Sequence, residues 1–283
     1  MGYTRPVREI IKRRRSWRSY DARKIEDEKR KAIENFMTTL DKPFWGNRAR
    51  FEFVDVGPPG KGRMKGTYGM IKGAGTFIVG AISKGPGDME DFGYLFEQVI
   101  LMATDLDLAT CWMGLTFARG PLAEKIGLAP GETIPAVSPL GYPSDRRSLV
   151  DTIARASVRA TRRKPWEYLF FNNDWPTPLK MDAAGQYQEP LEMVRLGPSA
   201  TNKQPWRIVV QDNMFHFFLQ RAAGYSKLTG GGVDLQRIDM GIAMCHFELT
   251  ARELGLSGVW IEKKPDIPTV SKEREYVVTW HAS

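Results

Sequence analysis

The sequence predicts an α+β protein built from two related halves. Helical and strand-like periodicities are mixed along its first part. A long helical segment recurs later in the chain with identical residues in register. A turn-rich, proline-bearing stretch at residues 172–178 separates the two copies. The 283 residues are 42% hydrophobic and 26% charged, which predicts a globular protein rather than a disordered one.

The first part of the chain shows both kinds of element. Apolar residues at helical spacing predict helices over residues 7–11 and 32–40, with a basic, turn-like segment at 13–21 between them. Alternation predicts a strand at 51–56, and the apolar run 76–80 reads as a buried strand. The first half therefore mixes helices with strands.

The internal repeat has an offset of 148 residues, as from Asp91 to Asp239. The same shift superposes six further identical pairs, namely Gly93 and Gly241, Leu101 and Leu249, Ala103 and Ala251, Leu106 and Leu254, Leu108 and Leu256, and Trp112 and Trp260. Two amphipathic helices can share a stripe by chance, but spacing alone does not produce the shared Asp start and Trp end. Duplication is the better account and predicts domains at 1–171 and 172–283.

Composition limits the class of protein. The formal charge of +8 and the pI near 9.4 fit nucleic acid, an anionic surface or a phosphorylated ligand. Nucleic-acid binding also needs aromatics interleaved with the arginines, and only Trp17 meets that need. Apolar runs are too short to span a membrane, and scattered cysteines and histidines suggest no disulfide framework or metal site. We therefore expect a cytoplasmic protein without metal, membrane or nucleic-acid partner.

Two polar segments, one in each half, carry candidate chemistry. Residues 197–206 form a proline-bounded loop whose donors and acceptors suit a flat, heteroatom-rimmed ring. The corresponding stretch 41–48 lacks that donor series. Conversely, the guanidiniums and hydroxyl of residues 14–18 suit bidentate capture of a phosphate, and the second half has no equivalent near 186–190. Each half retains one part of a site.

These two motifs resemble those of the FMN-dependent nitroreductase family. The loop Pro-Ser-Ala-x-Asn-x-Gln-Pro-Trp before a strand is the more specific of the two. Further segments that resemble the family lie at residues 68–74, 110–114, 140–143 and 162–167. The resemblance touches nearly the whole chain. It implies a nitroreductase-like fold in which each half has a mostly antiparallel sheet flanked by helices.

The resemblance also implies a cofactor and its ligands. Family members usually pair two identical subunits around each FMN, so this chain is expected to be a pseudo-dimer with one complete FMN site and one decayed site. The residues implied as phosphate ligands are Arg14, Ser16 and Arg163, with Arg15 and Arg18 close by. The residues implied to line the isoalloxazine are Pro198, Ser199, Thr201 and Asn202, with the backbone of Met113 and Gly114 near its N5 edge.

The implied activity is electron transfer from NAD(P)H through FMN to an electron-poor acceptor such as a nitroaromatic or a quinone. FMN carries that chemistry, so no catalytic side chain is expected. We hypothesise that Arg18 stabilises the reduced flavin. The alternative is a non-catalytic protein that binds or senses FMN. An internal pseudo-dimer needs no partner subunit to complete its site, so a monomer is expected.

Overall fold

The computed structural model describes residues 2–40, 42–62, 64, 67, 69–144, 162–222, 232–267 and 273–283. The chain divides into two compact units, Met1–Ala160 and Thr161–Ser283. Both combine helices with a sheet, which confirms the α+β prediction. No helix among the described residues is long and apolar enough to cross a membrane.

The first unit contains helices and a sheet in alternation. Its helices are α1 (Val7–Arg13), α2 (Asp27–Thr38), α3 (Asp88–Asp105) and α4 (Arg119–Lys125). Its strands are β1 (Ala49–Asp55), β2 (Thr76–Ser83), β3 (Ala109–Thr110), β4 (Glu132–Thr133) and β5 (Val137–Gly141). The predicted helices and both predicted strands of this half are therefore present.

The sheet of the first unit has the order β1-β2-β5-β3, with β4 pairing with β2. All of these pairings are antiparallel. Strand β2 is buried on both faces, which explains its continuous apolar run. Helix α3 packs its Phe92 and Phe96 on Phe51 of β1, with ring centroids 5.9 and 5.2 Å away. This aromatic contact joins the long helix to the sheet.

The second unit contains the other sheet and its helices. Its helices are α5 (Trp166–Leu169), α6 (Gln188–Leu196) and α7 (Leu235–Glu253), with short 3-10 helices at Asp182–Tyr187 and Ala200–Asn202. Its strands are β6 (Phe170–Asn172), β7 (Trp206–Gln211), β8 (Met214–Gln220), β9 (Gly258–Ile261) and β10 (Arg274–Ala282). Phe247 of α7 packs against Tyr187 and Phe215, so the long helix again joins its sheet through aromatic rings.

The two sheets share one connectivity. The second sheet has the order β6-β7-β8-β10-β9, and β7, β8, β9 and β10 occupy the places that β1, β2, β3 and β5 hold in the first. All pairings among these four strands are antiparallel. In each unit the long helix connects the second of these strands to the third. The 148-residue repeat thus coincides with a repeated order of elements, as a duplication requires.

The boundary between the units differs from the predicted one at 171/172. Strand β6 pairs in parallel with β7 of the second sheet, and the amide of Asn173 donates to the carbonyl of Val210 at 2.8 Å. The stretch 172–178 expected to be a linker therefore lies inside the second unit. Residues before it are attached to the second sheet by backbone pairing, which a turn-rich composition does not reveal.

Candidate functional site

The basic segment of the first unit is extended and pinned by its backbone. Ser16 forms a bridge with Thr110 of β3, and the amide of Trp17 donates to the carbonyl of Thr110 at 2.8 Å. Further along, the amide of Lys72 donates to the carbonyl of Arg18 at 2.9 Å. These bonds fix the course of the segment, so the side chains of residues 14–18 project from a defined backbone.

Arg14 follows the end of α1 and is buried. Its Nε lies 3.8 Å from Oε1 of Glu97 on α3, with side-chain exposures of 6% and 0%. The other carboxylate oxygen of Glu97 accepts a hydrogen bond from the indole of Trp112 at 2.7 Å. Burial lowers the pKa of Arg14, and the charge of Glu97 opposes that shift. The Nε of Arg14 has no hydrogen-bond partner in the part of the chain that the structure describes.

The other predicted phosphate ligands of this segment differ in accessibility. Arg15 is exposed, whereas Ser16 and Arg18 are half-buried. Ser16 and Arg14 both lie beside β3 and the segment that follows it. Ser16 forms a bridge with Thr110, and the charge of Arg14 interacts with Cys111. The first unit therefore brings this part of the basic motif to the chain segment that leads to Met113.

Met113 is paired through its backbone. Its amide donates to the carbonyl of Val137 and its carbonyl accepts from the amide of Val137, both at 2.9 Å. Its side chain belongs to the hydrophobic core of the first unit. The Met113 backbone is thus paired with Val137, and its approach to the N5 edge of FMN stays a prediction. Gly114 follows it, and its carbonyl accepts a hydrogen bond from Arg119 at 2.6 Å.

The polar loop of the second unit lies between α6 and β7 and has an unusual backbone. Thr201, Asn202 and Gln204 have φ values of 47°, 57° and 47°. Left-handed conformations are unfavourable for residues with a side chain, and most of all for a β-branched one such as Thr201. Surrounding bonds must hold such a loop in place.

Hydrogen bonds within the second unit hold this loop. The hydroxyl of Ser199 accepts from the amide of Gln204 at 2.8 Å, and the Gln204 side chain accepts from the amide of Lys164 at 2.7 Å. Asn202 donates through its side-chain amide to the carbonyl of Arg162 at 2.9 Å. The residues predicted at the flavin ring, Pro198, Ser199, Thr201 and Asn202, are consequently held in one rigid turn.

Arg163, predicted to bind phosphate, is joined to the same loop. Its Nε and Nη2 donate to the carbonyl of Leu196 at 3.2 and 3.0 Å. Its Nη1 lies 3.4 Å from the side-chain oxygen of Asn202. These bonds give Arg163 an orienting role in the loop. The structure therefore brings Arg163 together with the predicted ring-contacting residues, in the second unit.

Asp239 is a functional candidate that the sequence motifs missed. It lies in the first turns of α7, is 2% exposed, and accepts a hydrogen bond from the amide of Ala200 at 2.9 Å. Its other carboxylate oxygen is buried without a hydrogen-bond partner in the described structure. Burial raises the pKa of Asp239 well above its usual range. The repeat had marked this residue through its identity with Asp91, but not as an anchor for the loop.

Comparisons with known proteins identify the family. The chain belongs to the family described as "Putative TM nitroreductase", whose model matches residues 6–251. A crystal structure from Thermotoga maritima, described as a "putative nitroreductase", is similar with a TM-score of 0.63 at 19% identity, and the match covers 99% of this chain and 95% of that one. The nitroreductase-like fold predicted from the motifs is therefore confirmed.

Two other solved structures resemble part of the chain. An FMN-dependent nitroreductase from Clostridium difficile has a TM-score of 0.41 at 23% identity, covering 49% of this chain and 88% of that one. A nitroreductase with bound FMN from Bacteroides fragilis has a TM-score of 0.41 at 21% identity, covering 52% and 92%. No curated protein sequence matched the chain.

Proposed function

We propose that this protein is an FMN-dependent oxidoreductase that passes electrons from NAD(P)H to an electron-poor acceptor such as a nitroaromatic or a quinone. Membership of the nitroreductase family supports the reaction class. The observation that carries the proposal is the loop before β7, in which three non-glycine residues adopt left-handed conformations. Strain of this kind is typical of a binding turn, and it needs the many hydrogen bonds seen here.

The residues present fit the cofactor at both of its ends. Arg14 offers a buried cation whose Nε lies 3.8 Å from Glu97 without a hydrogen bond among the described residues, and its guanidinium fork suits a phosphate. Ser199 and Asn202 offer a fixed polar edge to a flat ring. Bound FMN would supply the two-electron chemistry itself. The work left to the protein is therefore binding, orientation and the exclusion of water.

We further propose that the two units arose by duplication and that the chain binds one FMN. The repeated strand order supports duplication. The polar loop occurs before β7 but not before β1, and the basic motif occurs only in the first half. Arg14, Ser16 and Arg163 would then hold the phosphate, with Arg15 and Arg18 close by. The polar loop at Pro198, Ser199, Thr201 and Asn202 and the backbone of Met113 and Gly114 would lie at the ring. Such a chain needs no second subunit and is expected to act as a monomer in the cytoplasm.

The first experiment is to purify the protein, record its visible spectrum and count flavin per chain after denaturation. We expect close to one FMN per chain, and oxidation of NADH or NADPH that depends on an added nitroaromatic or quinone. FMN binding without turnover would favour a sensing protein instead. No flavin, even after soaking in FMN, would overturn the proposal.

A matched pair of variants tests the phosphate assignment. Arg15 and Arg13 are neighbouring, exposed arginines, but only Arg15 is proposed to bind FMN, and Arg13 instead pairs with Asp107. Arg15→Gln should weaken FMN binding by about tenfold, as expected for the loss of one charge-assisted hydrogen bond, whereas Arg13→Gln should not. Equal dissociation constants for the two variants would remove Arg15 from the site.

A further inference from the structure

A group of cations surrounds Tyr168 in the second unit. The Nζ of Lys164 lies 5.2 Å from the centre of the Tyr168 ring, and the guanidinium carbon of Arg207 lies 4.5 Å from it. Both cations also donate to one carbonyl oxygen, that of Gln204, at 3.2 and 3.1 Å. Two like charges thus converge on one acceptor behind the polar loop.

Arg274 adds a third positive charge beside these two. Its guanidinium stacks over Trp175 at 4.2 Å, and its Nε donates to the side chain of Gln220 at 2.7 Å. Burial lowers the pKa of Arg207, and the nearby charge of Arg274 lowers it further, although a hydrogen bond with Tyr168 opposes both. We call Lys164, Arg207, Arg274 and Tyr168 the cation cluster.

The cation cluster has no acidic partner in the described structure. No described carboxylate forms an ion pair with Lys164, Arg207 or Arg274. Elsewhere in this unit arginines are paired, as Arg221 is with Asp234 and Glu275 at 2.6 and 2.7 Å. The cluster differs in this respect from Arg195, Arg221, Arg237 and Arg252 of the same unit, each of which has a carboxylate partner.

The absence of a described counter-charge has an energetic consequence. Arg207 is only 2% exposed, and burying a cation without a counter-charge is unfavourable. Burial and the charges of Arg207 and Lys203 lower the pKa of Lys164 to about 8. The π faces of Tyr168 and Trp175 and the carbonyl of Gln204 offset part of this cost, but none of them carries a negative charge.

We infer that the cation cluster binds a dianionic phosphate group belonging to a ligand other than FMN. Arginine presents a planar fork to phosphate oxygens, lysine adds a point charge, and the Tyr168 hydroxyl can donate a hydrogen bond. Three cations without a carboxylate partner among the described residues match the charge of a phosphate monoester, about −1.5 to −2, better than that of a single carboxylate. Tyr168 is 54% exposed, which leaves the cluster an edge open to a ligand.

The ligand class rests on the proposed function. The cluster shares Gln204 with the loop proposed to contact the flavin, so a hydride donor bound at that flavin lies near it. A nicotinamide nucleotide with an additional phosphate on its adenosine ribose, NADPH, carries the required dianion, and NADH does not. Inorganic phosphate offers the same chemistry from a second source.

Steady-state kinetics of the FMN-loaded protein test the inference. We expect kcat/KM for NADPH to exceed that for NADH, and to fall by about tenfold to hundredfold in Arg274→Gln, with little change for NADH. Lys264→Gln is the matched control, because it removes one charge from an exposed side chain of the same unit. Equal losses for both donors, or loss of bound FMN from Arg274→Gln, would overturn the inference.

Calorimetry separates this inference from the flavoenzyme proposal, because it needs neither FMN nor turnover. Adenosine 2′-monophosphate, adenosine and inorganic phosphate are titrated into the wild type and into Arg274→Gln. Binding of the monophosphate but not adenosine, weakened in the variant, supports the site even if no FMN binds. Binding of inorganic phosphate with no preference for NADPH supports the site with free phosphate as its ligand. Binding of neither phosphate compound to the wild type would overturn it.

Discussion

The loops that precede β1 and β7 occupy equivalent places in the two units, yet they are built differently. In the first unit Asp91 accepts from the amides of Trp45 and Asn47 at 3.3 and 2.9 Å and from the Asn47 side chain at 2.8 Å. The left-handed position in that loop is Gly46, with φ of 76°. This loop is well satisfied and uses the residue type that its backbone favours.

The loop of the second unit gives its aspartate fewer hydrogen bonds and places residues with side chains in left-handed conformations. Asp239 accepts one bond from the loop and keeps a buried oxygen without a partner in the described structure. Three side-chain-bearing residues take left-handed conformations there. Left-handed backbone is unfavourable for residues with a side chain, and we expect the polar side chains at those positions to be used in binding. Both units thus have an aspartate that anchors this loop, at positions related by the 148-residue repeat, whereas the residues proposed to contact FMN lie in the loop of the second unit.

A second comparison concerns the tryptophan that ends each repeat. Trp112 donates to Glu97 and Trp260 donates to Glu248, both at 2.7 Å. Glu97 lies beside the buried Arg14, but Glu248 pairs at 2.6 Å with Arg252, whose side chain is 56% exposed. The same indole contact is therefore joined to a buried ion pair in one unit and to a solvated one in the other.

The largest expected effect tests whether the buried ion pair contributes more to stability than the solvated one. Arg14→Met leaves the fully buried carboxylate of Glu97 without its cation and should lower the free energy of unfolding by about 3–5 kcal/mol. Arg252→Met should lower it by no more than about 0.5 kcal/mol, because that pair is solvated. Urea unfolding of the flavin-free protein measures both. Similar values for the two variants would show that burial does not distinguish the pairs.

The next effect is a pH dependence of stability. Burial raises the pKa of Asp91 from its usual 3.8 to about 6, so the folded state favours the protonated form. Its contribution is present below pH 4 and is lost as the pH rises through about 6, a change of about 3 kcal/mol. The wild type should therefore lose about that much relative to Asp91→Asn between pH 4 and pH 7. Parallel unfolding curves over this range would contradict the prediction.

A smaller effect tests whether the loop before β7, but not the loop before β1, contributes to FMN binding. Asp239→Ala leaves the amide of Ala200 buried without its acceptor, a cost of about 1–3 kcal/mol that should appear as weaker FMN binding. Asp91→Ala disturbs the equivalent loop, and we expect lower stability with unchanged FMN affinity. Asp239→Asn can still accept from Ala200 and should largely restore binding. The readout is the FMN dissociation constant, and equal shifts in both alanine variants would refute the separation.

Much of the fold could be predicted from the sequence. The repeat indicated the long helices α3 and α7, and alternation indicated β1. The division of the units at residues 160/161 could not be predicted, because the parallel pairing of β6 with β7 is a contact between short segments far apart in sequence. Periodicity reports which face of an element is apolar, but not which strand lies beside it.

The candidate site was predictable in its residue types more than in their contacts. The Ser199 loop was identified through its motif, but Asp239 was overlooked because a buried carboxylate in a helix has no local signature. Glu97 and Glu248 could not be paired through the repeat, since they occupy different positions in it. The pairing of the Met113 backbone with Val137 was not predicted, because it depends on tertiary structure.

The smallest expected effect measures the cost of the left-handed conformation at Thr201 in the loop of the second unit. Thr201 is a β-branched residue at φ 47° and ψ 27°, where asparagine is better tolerated. Thr201→Asn should therefore raise the free energy of unfolding by about 1 kcal/mol. Asn202→Thr should lower it by more than that, because it also removes the side-chain donor to the carbonyl of Arg162. Thermal unfolding measures both. If Thr201→Asn gains stability but binds FMN more weakly, the strain at this position is coupled to the cofactor. If it gains stability with unchanged affinity, the left-handed turn alone, and not the threonine side chain, is what the loop contributes there.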